Sequence, residues 1–294
     1  MTTLASSFDS SALASFRALV LRRGRELYRD LPWRRTRDPY EIWLSEVMLQ
    51  QTQVTRVDGR WQHWLERFPT IDALASAQTA DVLDEWQGMG YNRRALALLN
   101  AARIVADGGG DMPVEARDLE ALPGIGPATA AGIRAFAYDL PGVYLETNVR
   151  TVLLHELYPG AVQVPDRELV PLVEATCPKD ASDPTDDPRT WYYAVLDYGA
   201  VLKRTVPNPS RRSRAHVRQS RFEGSHRQRR AMVVRALLAH RETGGVDAAT
   251  IANEMSELEA AAGRPPVGEQ QVLDLLEELS GEGFCRSEDG CWSA

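Results

Sequence analysis

Residues Leu122-Pro123-Gly124-Ile125-Gly126-Pro127-Ala128-Thr129-Ala130 constrain what this chain can fold into more than any other stretch. Two glycines one residue apart permit a tight backbone turn. Pro127 suits the first position of a helix, where its missing N–H would be unpaired in any case. The stretch therefore reads as a hairpin that opens a helix of small residues. The free N–H groups of such a helix start face outward with a favourable dipole, which suits a phosphate. A bland turn between two helices is the alternative. Strand signals before residue 280 are scarce, and the fold class is mostly α.

A second word lies upstream, Leu44-Ser45-Glu46-Val47-Met48-Leu49-Gln50-Gln51-Thr52-Gln53-Val54. Leu44, Val47, Met48 and Leu49 form a helical apolar stripe that Glu46 interrupts. A carboxylate held against that stripe has a raised pKa, because burial disfavours its charged form, and can serve as a general acid near neutral pH. A surface Glu on an amphipathic helix is the other reading. Gln50, Gln51 and Gln53 crowd more amide donors and acceptors into one turn than a solvated face usually carries. Gly88-Met89-Gly90-Tyr91-Asn92 lies between the two words, and Glu146-Thr147-Asn148 follows them.

These words, in this order, resemble the helix-hairpin-helix (HhH-GPD) DNA glycosylases of base excision repair, and most closely the MutY adenine glycosylases. The resemblance runs from about Leu31 to Gly199 and includes Leu31-Pro32-Trp33 and Asp38-Pro39-Tyr40. It implies that Glu46 is the general acid that protonates a purine ring. It implies that Tyr91 works with Glu46 near the scissile glycosidic bond, and that Gln50 and Gln51 enter the DNA stack where the target base is flipped out. Gly124, Ile125 and Gly126 match the hairpin that grips phosphate, and Thr129 in the following turn joins the DNA-binding set.

The chain departs from that pattern in four places. Where the family has its catalytic Asp, this chain has Glu146, one methylene longer, followed by the retained Asn148, which would orient the carboxylates. Positioning errors of about an ångström cost on the order of 10²-fold, so Glu146 either sits differently or serves a different substrate. Glu146 as a plain helix cap is the alternative. Ala128 stands where bifunctional relatives carry the lysine that forms a Schiff base, and alanine cannot be a nucleophile. That points to a monofunctional enzyme in which water attacks an oxocarbenium-like sugar.

The third departure is the iron–sulfur cluster. Extending the family's cysteine spacing lands on Lys203, Ser210, Ser213 and Gln219. None is a thiolate, so no cluster is expected, and no other metal or cofactor. The only cysteines are Cys177, Cys285 and Cys291. What replaces the cluster is basic. Between Lys203 and Arg230, ten Lys or Arg residues face one acid, Glu223, a net of +9 in a chain whose total is −7. A run this biased in an otherwise acidic protein faces a polyanion, with Arg211, Arg212, Arg214 and Arg218 as the DNA-facing candidates. The alternative is an internal staple that ties the loop to its own chain.

The fourth departure is the C-terminal part, which lacks the pattern of the family's β-rich reader of oxidised guanine. Met232–Leu238, Asp247–Asn253 and Val272–Leu279 read as helices. Two short strand-like pieces around an acidic turn follow, and the whole resembles a winged helix. Its third helix carries Asp274, Glu277 and Glu278, which argues against major-groove reading and for packing or a partner. The expected architecture is a two-domain helix-hairpin-helix glycosylase fold with a small winged-helix-like α+β module. Residues 1–37 with 141–224 form one helical domain carrying the basic loop, 38–140 a six-helix domain carrying the hairpin, and 225–294 the module.

A 44% hydrophobic content supports real cores. Three cysteines without paired spacing imply a reducing compartment, and Met1–Ser15 lacks the basic and apolar pattern of a signal peptide. No stretch reaches the length of a membrane helix. The expectation is a cytoplasmic, nucleoid-associated monomer whose partner is double-stranded DNA containing a lesion or mismatch. It would excise a damaged or mispaired base, a purine and adenine-like. Competing readings are a glycosylase for alkylated or deaminated bases, and a non-catalytic damage-binding protein on the same scaffold.

Overall fold

Short polar side chains set where the helices begin. Asp9, Asp38, Thr70, Asp187, Ser225 and Asp247 each accept a backbone N–H from the turn that they open. Such a cap satisfies a donor that the helix itself leaves unpaired. The computed structural model describes residues 8–217 and 221–294, and these are mostly helical. The packing divides into two compact units, residues 1–62 with 112–218, and residues 63–111 with 219–294.

In the first unit the helix Ser10–Leu27 lies along the helix Pro188–Thr205, which also carries Thr147–Glu156. Gly24 permits the first contact, since a Cβ there would overlap that of Ala194. The second contact needs Gly199, where a Cβ would stand 2.5 Å from the Asn148 carbonyl oxygen. Phe136 stacks on Tyr193 at 4.5 Å in the middle of this core. Beside it is a buried charge cluster. Asp197 takes Arg34 Nη1 at 2.7 Å, Arg34 Nη2 at 2.8 Å and Arg29 Nε at 2.5 Å, and the Arg34 guanidinium lies 4.3 Å from the Tyr193 ring centroid. The helix Pro39–Leu49 packs on the helix Pro127–Tyr138, which brings the two words of the sequence side by side.

The second unit joins the helices Ile71–Ala75, Thr79–Glu85 and Arg93–Asp107 to the C-terminal helices His226–Ala239, Ala248–Ala261 and Glu269–Gly281. The expected three helices and hairpin are present, with Arg286–Glu288 antiparallel to Cys291–Ser293. Val246 pairs with Trp292 as a further antiparallel bridge. The helix expected over Asp247–Asn253 runs longer, because Ile251, Ala252 and Met255 continue one buried face. The module does not stand apart from residues 63–111. Arg93 and Arg230 both pair with Glu282, and the two guanidiniums hold its carboxyl down at about 2. Glu278 of the acidic helix is taken up internally by Arg230 at 2.5 Å and His226 at 3.1 Å. No helix among the described residues is long and apolar enough to cross a membrane.

Candidate active site

Glu46 lies near the end of the helix Pro39–Leu49, on a segment whose neighbours Leu44, Ser45, Val47 and Met48 are all buried. The side chain is half-buried. Its carboxyl rests on Gly132 of the hairpin's helix. A Cβ at Gly132 would lie 2.9 Å from Tyr144 Cε2 and closer still to Glu46 Oε2, so glycine is what leaves room for both. Burial pushes the Glu46 carboxyl up to about 8, while a hydrogen bond donated by the Tyr144 hydroxyl pulls the other way. At neutral pH this group holds a proton.

Glu146 is placed differently. It is the N-cap of the helix Thr147–Glu156, and its Oε1 accepts the Asn148 N–H at 2.5 Å. Burial raises its pKa, but the N–H groups of Thr147, Asn148 and Val149 and the Lys203 ammonium oppose the shift. The two acids are thus set in opposite environments, one against an apolar surface and one on a helix N-terminus beside a cation. The cap offered as the alternative reading of Glu146 is present, and it holds the carboxyl in place. Asn148 accepts from Lys203 Nζ at 3.2 Å through its side-chain oxygen.

Gln50 donates to the Thr129 hydroxyl at 3.1 Å, which links the end of the helix Pro39–Leu49 to the first turn after the hairpin. Gln51 is exposed on the turn, with φ +55 in the left-handed region. In the hairpin, Gly124 has φ +78 and Ile125 N–H closes the turn onto Leu122 O at 3.2 Å. The Ile125 side chain is buried and anchors the turn, leaving exposed Gly126 as an N-cap that no side chain satisfies. The outward amides are what a phosphate would take.

Tyr91 belongs to the second unit. It is 38% exposed, has φ +51, and its hydroxyl accepts from Arg227 Nη1 at 2.8 Å. The arginines of the basic run divide. Arg211 and Arg214 are exposed. Arg212 donates to the carbonyls of Tyr158 at 2.7 Å and Leu154 at 2.5 Å, and so closes off the end of the helix Thr147–Glu156. It is an internal staple, not a free surface cation: the Leu154 carbonyl lies in the last turn of its helix, and the Tyr158 carbonyl just beyond it also accepts the Ala161 N–H at 3.2 Å. Arg218 lies outside the described residues.

The residues at the cluster positions do not fit a cluster. Ser210 and Ser213 are each 3% exposed and hydroxyl-bearing, Ser210 is bonded to Asn208 at 2.8 Å, and Lys203 is committed to Asn148. Gln219 lies outside the described residues. Loop and helix are instead joined by a Val164–Ser213 bridge and by Arg212.

Sequence reasoning missed Tyr144, Gly132 and Lys203. Tyr144 did carry a signal: it stands two residues before Glu146 on an extended segment, so the two side chains share a side.

The model of the HhH-GPD superfamily base excision DNA repair proteins matches residues 44–261. The chain belongs to this family. The adenine DNA glycosylase of Mycolicibacterium smegmatis is 40% identical over 178 residues, which cover 59% of this chain and 58% of that protein. The adenine DNA glycosylase of Homo sapiens is 39% identical over 155 residues, 49% of this chain and 28% of that protein. The chain therefore spans little more than half the length of such curated relatives, or less. A thermostable thymine-DNA glycosylase superposes with a TM-score of 0.56 at 23% identity, covering 65% of this chain and 87% of that one. A trapped endonuclease III–DNA covalent intermediate gives 0.52 at 15% identity, covering 66% and 85%. These two show the fold, as expected for HhH-GPD proteins.

Proposed function

We propose that this protein is a monofunctional DNA glycosylase of base excision repair that excises adenine from a mispair in double-stranded DNA and works without an iron–sulfur cluster. The observation that carries the reading is the pair of carboxyls in different surroundings: burial raises Glu46 to about 8, while Glu146, also raised by burial, sits on backbone N–H groups beside Lys203 that oppose the rise. The names of relatives that are 40% and 39% identical over 178 and 155 residues supply the substrate, adenine.

In the proposed reaction Glu46 gives its proton to a ring nitrogen of the flipped purine, and the electrons of the C–N bond leave with the base. The cation left on the sugar is stabilised by the Glu146 carboxylate. Water then adds to the anomeric carbon and yields a proton to Glu146. Ala128 has no amine, so the hairpin offers no Schiff base. Extrusion costs a few kcal/mol, least where the base is mispaired.

The test is a panel of duplexes with adenine opposite each base and with deaminated or alkylated purines. Free adenine identified by mass spectrometry, alkali-labile sites and no covalent adduct trapped by borohydride are the expected results. Release of no base from any duplex that the protein binds would make it a damage-binding protein.

The arginines give a separate expectation. With Arg211 and Arg214 on phosphates, changing both to Ala flattens the slope of log affinity against log salt by about two units, at roughly 0.9 for each contact. Arg212→Met leaves that slope in place. It lowers stability by about 1–3 kcal/mol, because the Leu154 carbonyl loses its side-chain donor while that of Tyr158 keeps only the Ala161 N–H. Melting curves and salt titrations on both variants separate the roles, and a flattened slope for Arg212→Met would put that guanidinium on DNA.

A further inference from the structure

An alternating stack of rings and guanidiniums runs through the second unit from its core to its surface. Trp86, 1% exposed, is its base. The Arg94 guanidinium lies 5.1 Å from the Trp86 ring centroid and 5.6 Å from that of Tyr91. Arg94 is fixed in this position by the carbonyls of Met89 and Gly90, at 3.1 and 2.8 Å. The Arg227 guanidinium repeats the pattern, 5.6 Å from the Tyr91 ring and 5.9 Å from that of Phe222. Tyr91 and Arg94 come from the Gly88–Asn92 turn and the helix after it; Phe222 and Arg227 come from the entry to the C-terminal module.

The outer end of the ladder is not built like a packing contact. Tyr91 and Phe222 are 38% and 51% exposed, although stacked rings that serve only stability are normally covered. Tyr91 also occupies the left-handed region, which costs a bulky residue on the order of 1–3 kcal/mol and persists where the surroundings impose it. The ladder ends in a chain segment with ten basic residues between Lys203 and Arg230. Aromatic faces interleaved with arginines on a basic segment form a stacking platform for unstacked bases, because a base stacks on rings and on guanidinium planes alike.

We infer that the Tyr91–Arg227–Phe222 end of this ladder is a stacking site for a nucleobase displaced from the DNA duplex, and that the C-terminal module takes part in DNA recognition by completing it. The inference rests on the DNA-binding reading above and adds a role for a segment to which that reading gives none.

The probes are two duplexes containing 2-aminopurine, one with it as a single unpaired bulge and one with it paired opposite thymine. Binding of the wild-type protein quenches the fluorescence of the bulged probe. Phe222→Ala and Arg227→Met abolish the quenching and weaken binding of the bulged duplex about tenfold, the loss of one base–aromatic stack. Affinity for the paired duplex is unchanged. Arg227→Lys keeps the charge but not the plane and behaves as Arg227→Met. Phe222→Ala removes a half-exposed ring and leaves the melting temperature where it was. Equal losses on both duplexes, wild-type quenching by the variants, or wild-type behaviour of Arg227→Lys each overturn the stacking site and leave the glycosylase reading intact. A wild-type protein that binds neither duplex overturns the DNA-binding reading and the stacking site with it.

Discussion

Glu46→Gln abolishes base release while binding of the duplex survives. The amide keeps the shape of the side chain over Gly132 and beside Tyr144, and removes only the acid. A positioned general acid contributes ~10²–10⁴ in rate, so single-turnover excision falls by at least that range. The same group fixes the pH dependence of the wild type. A carboxyl raised to about 8 is the working acid while it is protonated, so excision falls as pH rises through about 8. At the acid end the limit is Glu146, whose pKa is also raised; once it is protonated it no longer stabilises a cation. The profile is a bell, and its alkaline limb belongs to Glu46. Tyr144→Phe takes away a hydrogen bond that holds the Glu46 pKa down, so that limb moves to higher pH. Turnover of Glu46→Gln near that of the wild type would remove Glu46 from the chemistry, and an alkaline limb unmoved by Tyr144→Phe would remove Tyr144 from its control.

Asp197→Ala unfolds the first unit at a much lower denaturant concentration than the wild type. The Asp197 and Arg34 side chains are 0% and 1% exposed, and Asp197 serves both Arg34 and Arg29. Removing the acid leaves a guanidinium buried without its counterion, at a cost of about 3–5 kcal/mol. That is a large share of the ~5–15 kcal/mol that holds a typical domain folded. The experiment is a urea titration with the transition slope held as a check on two-state behaviour. An unchanged midpoint would mean that the arginines reach water without Asp197. The paired variant Arg34→Met with Asp197→Leu recovers much of the loss, because an apolar pair of similar volume often matches a buried ion pair.

The C-terminal hairpin and the three helices before it were legible because each depends on neighbours in the chain: apolar residues at helical spacing, and a Gly281-Glu282-Gly283 stop. That the module packs with residues 63–111 was not legible. The ion pairs of Glu282 with Arg93 and Arg230 join residues with no periodic relation. The arginine run shows the same limit from the other side. Its composition is visible at once, yet Arg212 serves the carbonyls of Leu154 and Tyr158 while Arg211 and Arg214 stay exposed.

By itself the sequence determined the hairpin, the helical class, the acid placed on an apolar stripe, and the absence of thiolates at the cluster positions. Each follows from backbone sterics or from the chemistry of a single residue type, which act over a few residues. Only the tertiary structure decided the surroundings of those residues. Glu46 becomes an acid near neutral pH because Gly132 lets its carboxyl sink beside Tyr144. At Glu146, Lys203 on another helix and three backbone N–H groups oppose the rise that burial imposes. Desolvation and charge pairing depend on distance in space, and nothing in a linear pattern carries that distance.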